Sequence, residues 1–394
     1  MEYDVIVVGS GISGMSFAHY ACRAGLRTLV LEKDVSLGGC IHSQRLDNGF
    51  WLELGAHTCY NSYQDLIRIL EERKLLSTLL RRKRVPFRLL VGDRVRPIAR
   101  ELSIFELLMS VPRVLGTPKE GNTVRGYYSR IVGRGNYDRV FGPLFAAVPS
   151  QRADGFPANM LFKRRQRRKD VLRSFTMTGG LQTIIDSIAA DPGIKFQPGA
   201  EVTELEKCGE GIQVRLAGGA ACSARHVALA VPAPAATALL SHSFSAVADA
   251  VSPVRASPIY SLGVVVRREA TPLEPVAGII PLDSRFFSMV SRDTVPDPAW
   301  RGFAFHFPSG IRKDDALAQA RALLKVDGVA IEHVFEREVV LSSPEFGHNQ
   351  IVKAIDERIS GSSLFITGNY FGGLAIEDCV IRSKQEVARL LKSI

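Results

Sequence analysis

The chain has 394 residues, 46% of them hydrophobic and 23% charged, enough for two domains with full cores and unlike a disordered or fibrous sequence. No apolar run reaches the roughly eighteen residues a membrane-crossing helix needs, and six cysteines without C-x-x-C or paired spacing argue against a disulfide framework. A reduced, cytosolic setting is expected, with no signal peptide ahead of a strand that begins within a few residues of Met1, and the net charge of +10 lies largely in clusters.

Val5-Ile6-Val7-Val8 is an unbroken β-branched run, as a parallel strand buried on both faces requires. Gly9-Ser10-Gly11-Ile12-Ser13-Gly14 follows, then a helical pattern with Met15, Ala18, Ala21 and Cys22 on one face and Gly25 as its stop. A second strand, Thr28-Leu29-Val30-Leu31, ends on Glu32-Lys33. The spacing predicts a Rossmann-like nucleotide site. Gly9 permits the turn, Gly11 admits a pyrophosphate to the backbone, Gly14 lets helix and strand close, and Glu32 accepts from a ribose.

Gly38-Gly39-Cys40-Ile41-His42-Ser43 comes next, with a short hairpin ending in Glu53-Leu54-Gly55-Ala56-His57. Near the other end, Ser363–Thr367 reads as a strand broken by Gly368-Asn369, and Gly372-Gly373-Leu374-Ala375-Ile376-Glu377-Asp378-Cys379 leads into a helix through Leu391. These segments, with Thr178-Gly179-Gly180-Leu181-Gln182 and Ala200–Leu205, resemble the FAD-dependent amine oxidase superfamily. The C-terminal segment and the Glu-Leu-Gly hairpin look like its protoporphyrinogen oxidase members. The resemblance implies a non-covalent FAD, its diphosphate near Gly38-Gly39 and its ring beside Gly55, Ala56 and His57. It further implies a backbone contact from Val202 to the adenine, ribityl-diphosphate contacts from Gly368-Asn369, and N–H groups of Leu374, Ala375 and Ile376 at the flavin O2. Many members carry Arg directly after the glycine pair, where this chain has Cys40. A covalent flavin link through Cys40 or Cys59 is the less favoured alternative to small buried thiols.

Between the ends, helices are expected over 102–115, 122–133 and 136–147, and Leu102–Val111 is apolar at helical spacing. Basic clusters occupy Arg81–Arg84 and Lys163–Lys169. An apolar helix with basic runs nearby points to an anionic membrane surface as a partner, on the inner face of the membrane. The aromatic interleaving of a nucleic-acid platform is missing, so no nucleic acid is expected. Strand-like runs Val227–Val231, Tyr260–Val266 and Gly278–Ile280 complete the pattern. The fold expected is α/β: a discontinuous FAD-binding domain (1–80, 176–240 and 355–394), a helical cap (81–175), and an α+β substrate domain with an antiparallel sheet (241–354).

No metal-ligand or nucleophile spacing is present. The catalytic candidates are His57 and Arg88, the latter on Val85–Gly92 as a partner for a substrate carboxylate. The activity implied is hydride removal from a hydrophobic cyclic substrate, porphyrinogen-like, with O2 as acceptor. An amine oxidase or desaturase, a UDP-galactopyranose mutase-like enzyme and a non-catalytic flavin-binding partner remain as alternatives. Sequence leaves the oligomeric state open.

Overall fold

The computed structural model describes residues 2–114 and 116–394. The β-branched runs assemble into one sheet ordered Ile194–Gln197, Thr28–Leu31, Tyr3–Val8, Ala221–Leu229. The first four strands are parallel. The long Ala221–Leu229 strand then carries two partners on its free edge. Its start pairs with the antiparallel meander Val202–Cys208 and Gly211–Leu216, and its end with parallel Leu364–Ile366.

The period of two in these strands feeds two cores. Val5, Val7, Val30 and Ala228 meet helices Ile12–Arg23, Gln64–Glu72, Gln182–Ala189 and Ile376–Leu390 on one face. Ile6, Val8, Leu29 and Leu229 meet Ala233–Leu240, Ser245–Val251 and His348–Ile359 on the other. The last two helices therefore pack on the first sheet. The expected substrate-domain range 241–354 narrows accordingly to about 256–342, which holds the strands of the second sheet.

That second sheet has the order Ile331–Ser342, Ala256–Arg267, Trp300–Pro308, Ser288–Ser291, Gly278–Pro281, Phe87–Val91, Arg94–Pro97. Its last two strands come from the stretch expected to be helical cap, so the cap proper begins after Pro97. The sheet is mixed rather than purely antiparallel, because Gly278–Pro281 runs parallel to Phe87–Val91. One face, with Leu262, Val264, Phe303 and Phe305, packs on helix Lys313–Leu324. The other takes Phe50, Leu52 and Leu54 of the N-terminal hairpin against Val265 and Ala304. Gly263 marks the closest approach: a Cβ there would lie 2.5 Å from Leu54 Cδ2.

In the cap, the helix expected over 102–115 is Ile104–Ser110 followed by a 3₁₀ turn, Val111–Val114, and position 115 lies outside the described residues. Val124–Val132 matches its sequence pattern. The third helical stretch, expected over 136–147, runs without a break from Arg134 to Ala147, its middle turn, Tyr137–Phe141, being a π turn. Glu106 accepts from the N–H groups of Gly135 (2.7 Å) and Asn136 (2.9 Å).

A second carboxylate crosses the first domain. Glu377, in the first turn of the C-terminal helix, accepts from the N–H groups of Asp65 (2.9 Å) and Leu66 (3.1 Å), capping helix Gln64–Glu72 from outside. Burial pushes this carboxyl up to about 7. The folded chain thus holds that proton more tightly than the unfolded one, and the stability it contributes is lost as pH rises from about 4.5 through 7. Glu377→Gln should make the fall in unfolding free energy between pH 5 and 8 shallower, read by urea denaturation. Glu377→Ala should cost about 1–3 kcal/mol by leaving both N–H groups without an acceptor. Identical pH slopes in wild type and the Gln variant would remove this cap from the account.

Candidate cofactor and active site

Three glycine segments, far apart in sequence, stack backbone on backbone. A Cβ on Gly14 would lie 1.9 Å from Gly9 O, so helix Ile12–Arg23 seats directly on its strand. Gly38 bridges Gly11 in parallel, and a Cβ on Gly39 would meet Gly11 Cα at 3.2 Å. A Cβ on Gly55 would meet Cys40 O at 2.1 Å, while the Ala56 N–H donates to that carbonyl at 3.0 Å. Residues 9–14, 38–40 and 55–57 are thereby one surface. Gly11 is the open position of the set, with nothing nearer to a Cβ than Gly38 O at 4.0 Å. The helix behind it has no side-chain cap and no acid in its first turn, so its N–H groups and dipole are left for an anion.

Glu32 is buried at the end of its strand. One carboxylate oxygen accepts from Ser10 N (2.8 Å) and Ser10 Oγ (2.7 Å), the other from Asp34 N (3.0 Å). Its carbonyl accepts from Ala200 N at 2.7 Å, which sets Val202 two residues further along the same segment. Lys33 is exposed. Gly368 and Asn369 follow strand Leu364–Ile366, and Leu374, Ala375 and Ile376 enter helix Ile376–Leu390. Ser383 Oγ on that helix donates to Ser13 O (2.7 Å) and pairs with Thr367 Oγ1 (2.8 Å), tying both ends of the chain to one site. The cradle fits a dinucleotide on these grounds: an open Gly11, an uncapped helix and a buried acid at the strand end.

A guanidinium from a distant strand reaches the glycine pair. Arg337, on strand Ile331–Ser342, donates to Gly39 O from Nε (3.2 Å) and Nη2 (3.0 Å). No local signal in the sequence marks it, because the contact spans the two sheets. Burial pushes the Cys40 thiol up to about 11 and drives Cys59 up as well, so both are protonated and weak nucleophiles.

Glu53 clamps the hairpin, accepting from Ser43 Oγ (2.6 Å) and Leu181 N (2.8 Å). Burial pushes its carboxyl up to about 7. His57 meets a partner that sequence reading missed: its Nε2 lies 3.0 Å from Nε2 of His306, whose Nδ1 lies 2.9 Å from Ser261 Oγ. Desolvation holds His57 well below its ordinary value and brings His306 down to about 4. Both rings are therefore neutral at pH 7, with one proton between the facing Nε2 atoms.

Arg88 does not join them. Ladder register places Phe87, Leu89 and Val91 on the face of His306, and Arg88 beside Ile279 on the opposite face with Leu90 and Met289. The basic clusters are also only partly surface. Arg82 turns inward, Lys163 (2.8 Å) and Arg165 (2.7 Å) bind Asp378, and Arg168 pairs with Glu71 at 2.7 Å. Arg81, Lys83, Arg84, Arg164, Arg167 and Lys169 remain exposed.

Among curated proteins, 47 residues are 51% identical to a thioredoxin reductase of Treponema pallidum (strain Nichols), covering 12% of this chain and 15% of that one. Another 54% identity extends over 41 residues of a thiamine thiazole synthase of Saccharolobus islandicus (strain L.S.2.15 / Lassen #1), 10% of this chain and 15% of that one. The chain thus spans only 15% of the length of these relatives. Solved structures share the fold over nearly the whole chain. A protein of Exiguobacterium sp. 255-15, provisionally assigned as a protoporphyrinogen oxidase, superposes with TM-score 0.80 at 16% identity over 98% of both chains. Reduced UDP-galactopyranose mutase superposes with 0.75 at 13% over 100% of this chain and 96% of its own. A putrescine oxidase variant superposes with 0.70 at 16% over 99% of both. The glycine cradle and its two-sheet setting agree with the match of residues 12–270 to the family described as flavin containing amine oxidoreductase, and the chain belongs to that family of flavin-dependent oxidoreductases.

Proposed function

We propose that the chain holds one non-covalent FAD and removes hydride from a hydrophobic cyclic substrate of the porphyrinogen type, with O2 as the acceptor. The observation that carries this reading is the single surface formed by residues 9–14, 38–40 and 55–57, with the neutral His57–His306 pair at its far end. Gly11, Ser13 and the first-turn N–H groups would take the diphosphate, Ser10 would hold Glu32 in place, Glu32 and Val202 would take the adenosine, and Leu374, Ala375 and Ile376 the pyrimidine edge of the ring. The flavin supplies a hydride acceptor at N5. The protein supplies position and proton handling. His57 Nδ1, the ring nitrogen of the pair that faces neither His306 nor Ser261, accepts a proton released from substrate, and His306 with Ser261 Oγ holds the His57 ring from behind. Both rings are neutral at pH 7 and so can accept a proton, while the desolvation that keeps them neutral also lowers their basicity.

Gly11→Val should fill the open position and strip the flavin. The absorbance ratio of flavin to protein after gel filtration reads this, and full occupancy in the variant would sink the assignment. Flavin released by acid precipitation of wild type is the expected sign of non-covalent binding.

Anaerobic mixing with protoporphyrinogen or coproporphyrinogen should bleach the flavin absorbance, and air should restore it. His57→Gln should slow the bleaching by roughly 10²–10⁴-fold, the usual worth of a positioned general base. Bleaching by an amine with neither porphyrinogen active would move the substrate class to the amine oxidases. A mutase-like reading draws on the fold shared with UDP-galactopyranose mutase and on His57 at the cradle, and it predicts no bleaching by any of these donors.

A membrane surface is proposed as a partner on one further observation. Ile104, Phe105, Leu108 and Met109 of helix Ile104–Ser110 are 62–76% exposed, with Arg100 and Arg113 exposed on either side. No helix among the described residues is long and apolar enough to cross a membrane, so contact would be superficial. Phe105→Ser with Leu108→Ser should release the protein from anionic vesicles in flotation at low salt. Wild type that stays off such vesicles would leave the patch without this role.

A further inference from the structure

The hairpin, strand Ser174–Met177 and the turn after Ser288–Ser291 enclose a small void, lined among others by Trp51, Glu53, His57, Arg82, Thr176 and Arg292. Its polar lining is incomplete. Arg292 Nε and Thr176 Oγ1 are both buried with no hydrogen-bond partner. Arg82 donates to the hydroxyls of Thr58 and Thr294, and Arg292 Nη1 to Val295 O at 2.8 Å, all neutral acceptors.

Enclosed guanidiniums elsewhere in this chain meet carboxylates: Arg73 with Asp191 at 2.6 Å, Arg301 with Asp293 at 2.5 Å, Arg382 with Asp356 at 2.7 Å. Arg82 and Arg292 have no acid within ion-pair distance among the described residues. Of the acids whose charge reaches Arg292, Asp297 accepts from Ala299 N and Trp300 N, and Glu53 is taken by Ser43 and Leu181. Arg292 is held flat instead, its Cζ 3.9 Å from the Trp51 ring centroid and 4.4 Å from that of Phe50. Both arginines are half-buried, and desolvation lowers Arg82 and brings Arg292 down to about 10, as expected of partly enclosed cations without a paired acid. An uncompensated pair of this kind is costly unless something neutralises it.

We propose that this void is a carboxylate-binding subsite, in which Arg82, Arg292 and Thr176 hold a carboxylate carried by the substrate. The subsite rests on the proposed function only in being the substrate's, since His57 lines the same void. Its volume, about 20 Å³, admits one small polar group and no ring, so the body of the ligand stays outside and only the acid enters. The open Nε edge of Arg292, the Arg82 guanidinium beside it and the Thr176 hydroxyl match the planar oxygens of a carboxylate.

The test is calorimetric titration of the purified full chain with acetate, propionate, benzoate and inorganic phosphate, against chloride at matched ionic strength. Saturable binding of the monocarboxylates is expected. Arg82→Gln and Arg292→Gln should each weaken it roughly tenfold to a hundredfold, as for loss of a charge-assisted contact, and Thr176→Val by a few-fold. Arg82→Lys keeps the charge but not the fork, and should weaken binding while leaving the fold intact if Arg292→Gln does not fold. Absence of saturable carboxylate binding in wild type, or affinities unchanged in the folded Arg82 and Thr176 variants, overturns the subsite. Phosphate bound tenfold more tightly than every carboxylate overturns its chemistry. A flavin that no porphyrinogen bleaches, together with carboxylate affinities that respond to these variants, defeats the proposed substrate and keeps the subsite.

Discussion

The fold depends on backbone touching backbone at the glycine cradle. Three loops from residues 9–14, 38–40 and 55–57 approach so closely that a single added Cβ would lie 1.9–3.2 Å from a neighbouring main-chain atom at Gly14, Gly39 or Gly55. Side chains are excluded there, so the loops cannot be held by side-chain packing of their own. They are held from behind. The two cores on either face of the first sheet fix the strands, Glu53 ties the hairpin to Leu181, and Ser383 ties the C-terminal helix to Ser13. Cofactor binding and folding thus place demands on the same few residues. The tight positions keep the loops together, and the open position at Gly11 leaves room for a ligand.

What sequence reveals divides along the length scale of each contact. Tyr3–Val8, Ile12–Arg23 and Thr28–Leu31 were legible because period and punctuation are local signals, and the cradle was legible because glycine at fixed spacing has few other uses. The assignment of Phe87–Pro97 to the second sheet was hidden, since strand pattern alone names no partner and the parallel neighbour lies nearly two hundred residues on. Arg88 shows the same blindness at one residue: a strand's two faces differ only by register, which the partner strand decides. His306 and Arg337 were invisible for a related reason. Each is one polar residue in an apolar or mixed strand, and only the opposing hairpin and glycine pair give it meaning.

Charge runs were the least legible feature. Lys163–Lys169 reads as a solvated basic stretch, yet Lys163 and Arg165 both reach Asp378, and Arg165 also lies over the Tyr63 ring. Asp378 stands in the first turn of the helix whose N–H groups are proposed for the flavin, beside Gly372 and Gly373. Two cations on that acid offset its charge where an uncompensated negative group would oppose a reduced, anionic ring. Part of the basic stretch therefore braces the N-terminal end of that helix through Asp378, and only the remaining residues stay exposed.

The same reasoning separates two kinds of buried cation. Arg301 and Arg382 are closed into carboxylates, and truncating either acid would strand a charge in the interior, so they serve the fold. Arg82 and Arg292 share a void with an unpartnered hydroxyl and a carboxyl that burial pushes towards neutrality. Packing of Arg292 on Trp51 and Phe50 offsets part of the cost of holding a cation there, but aromatic faces supply no hydrogen-bond acceptor for Nε. A hydrophobic residue of similar size in place of Arg292 would fill the space without that cost. A guanidinium in such a setting suits an anionic group entering the void better than it suits a core, and His57 lines the same void.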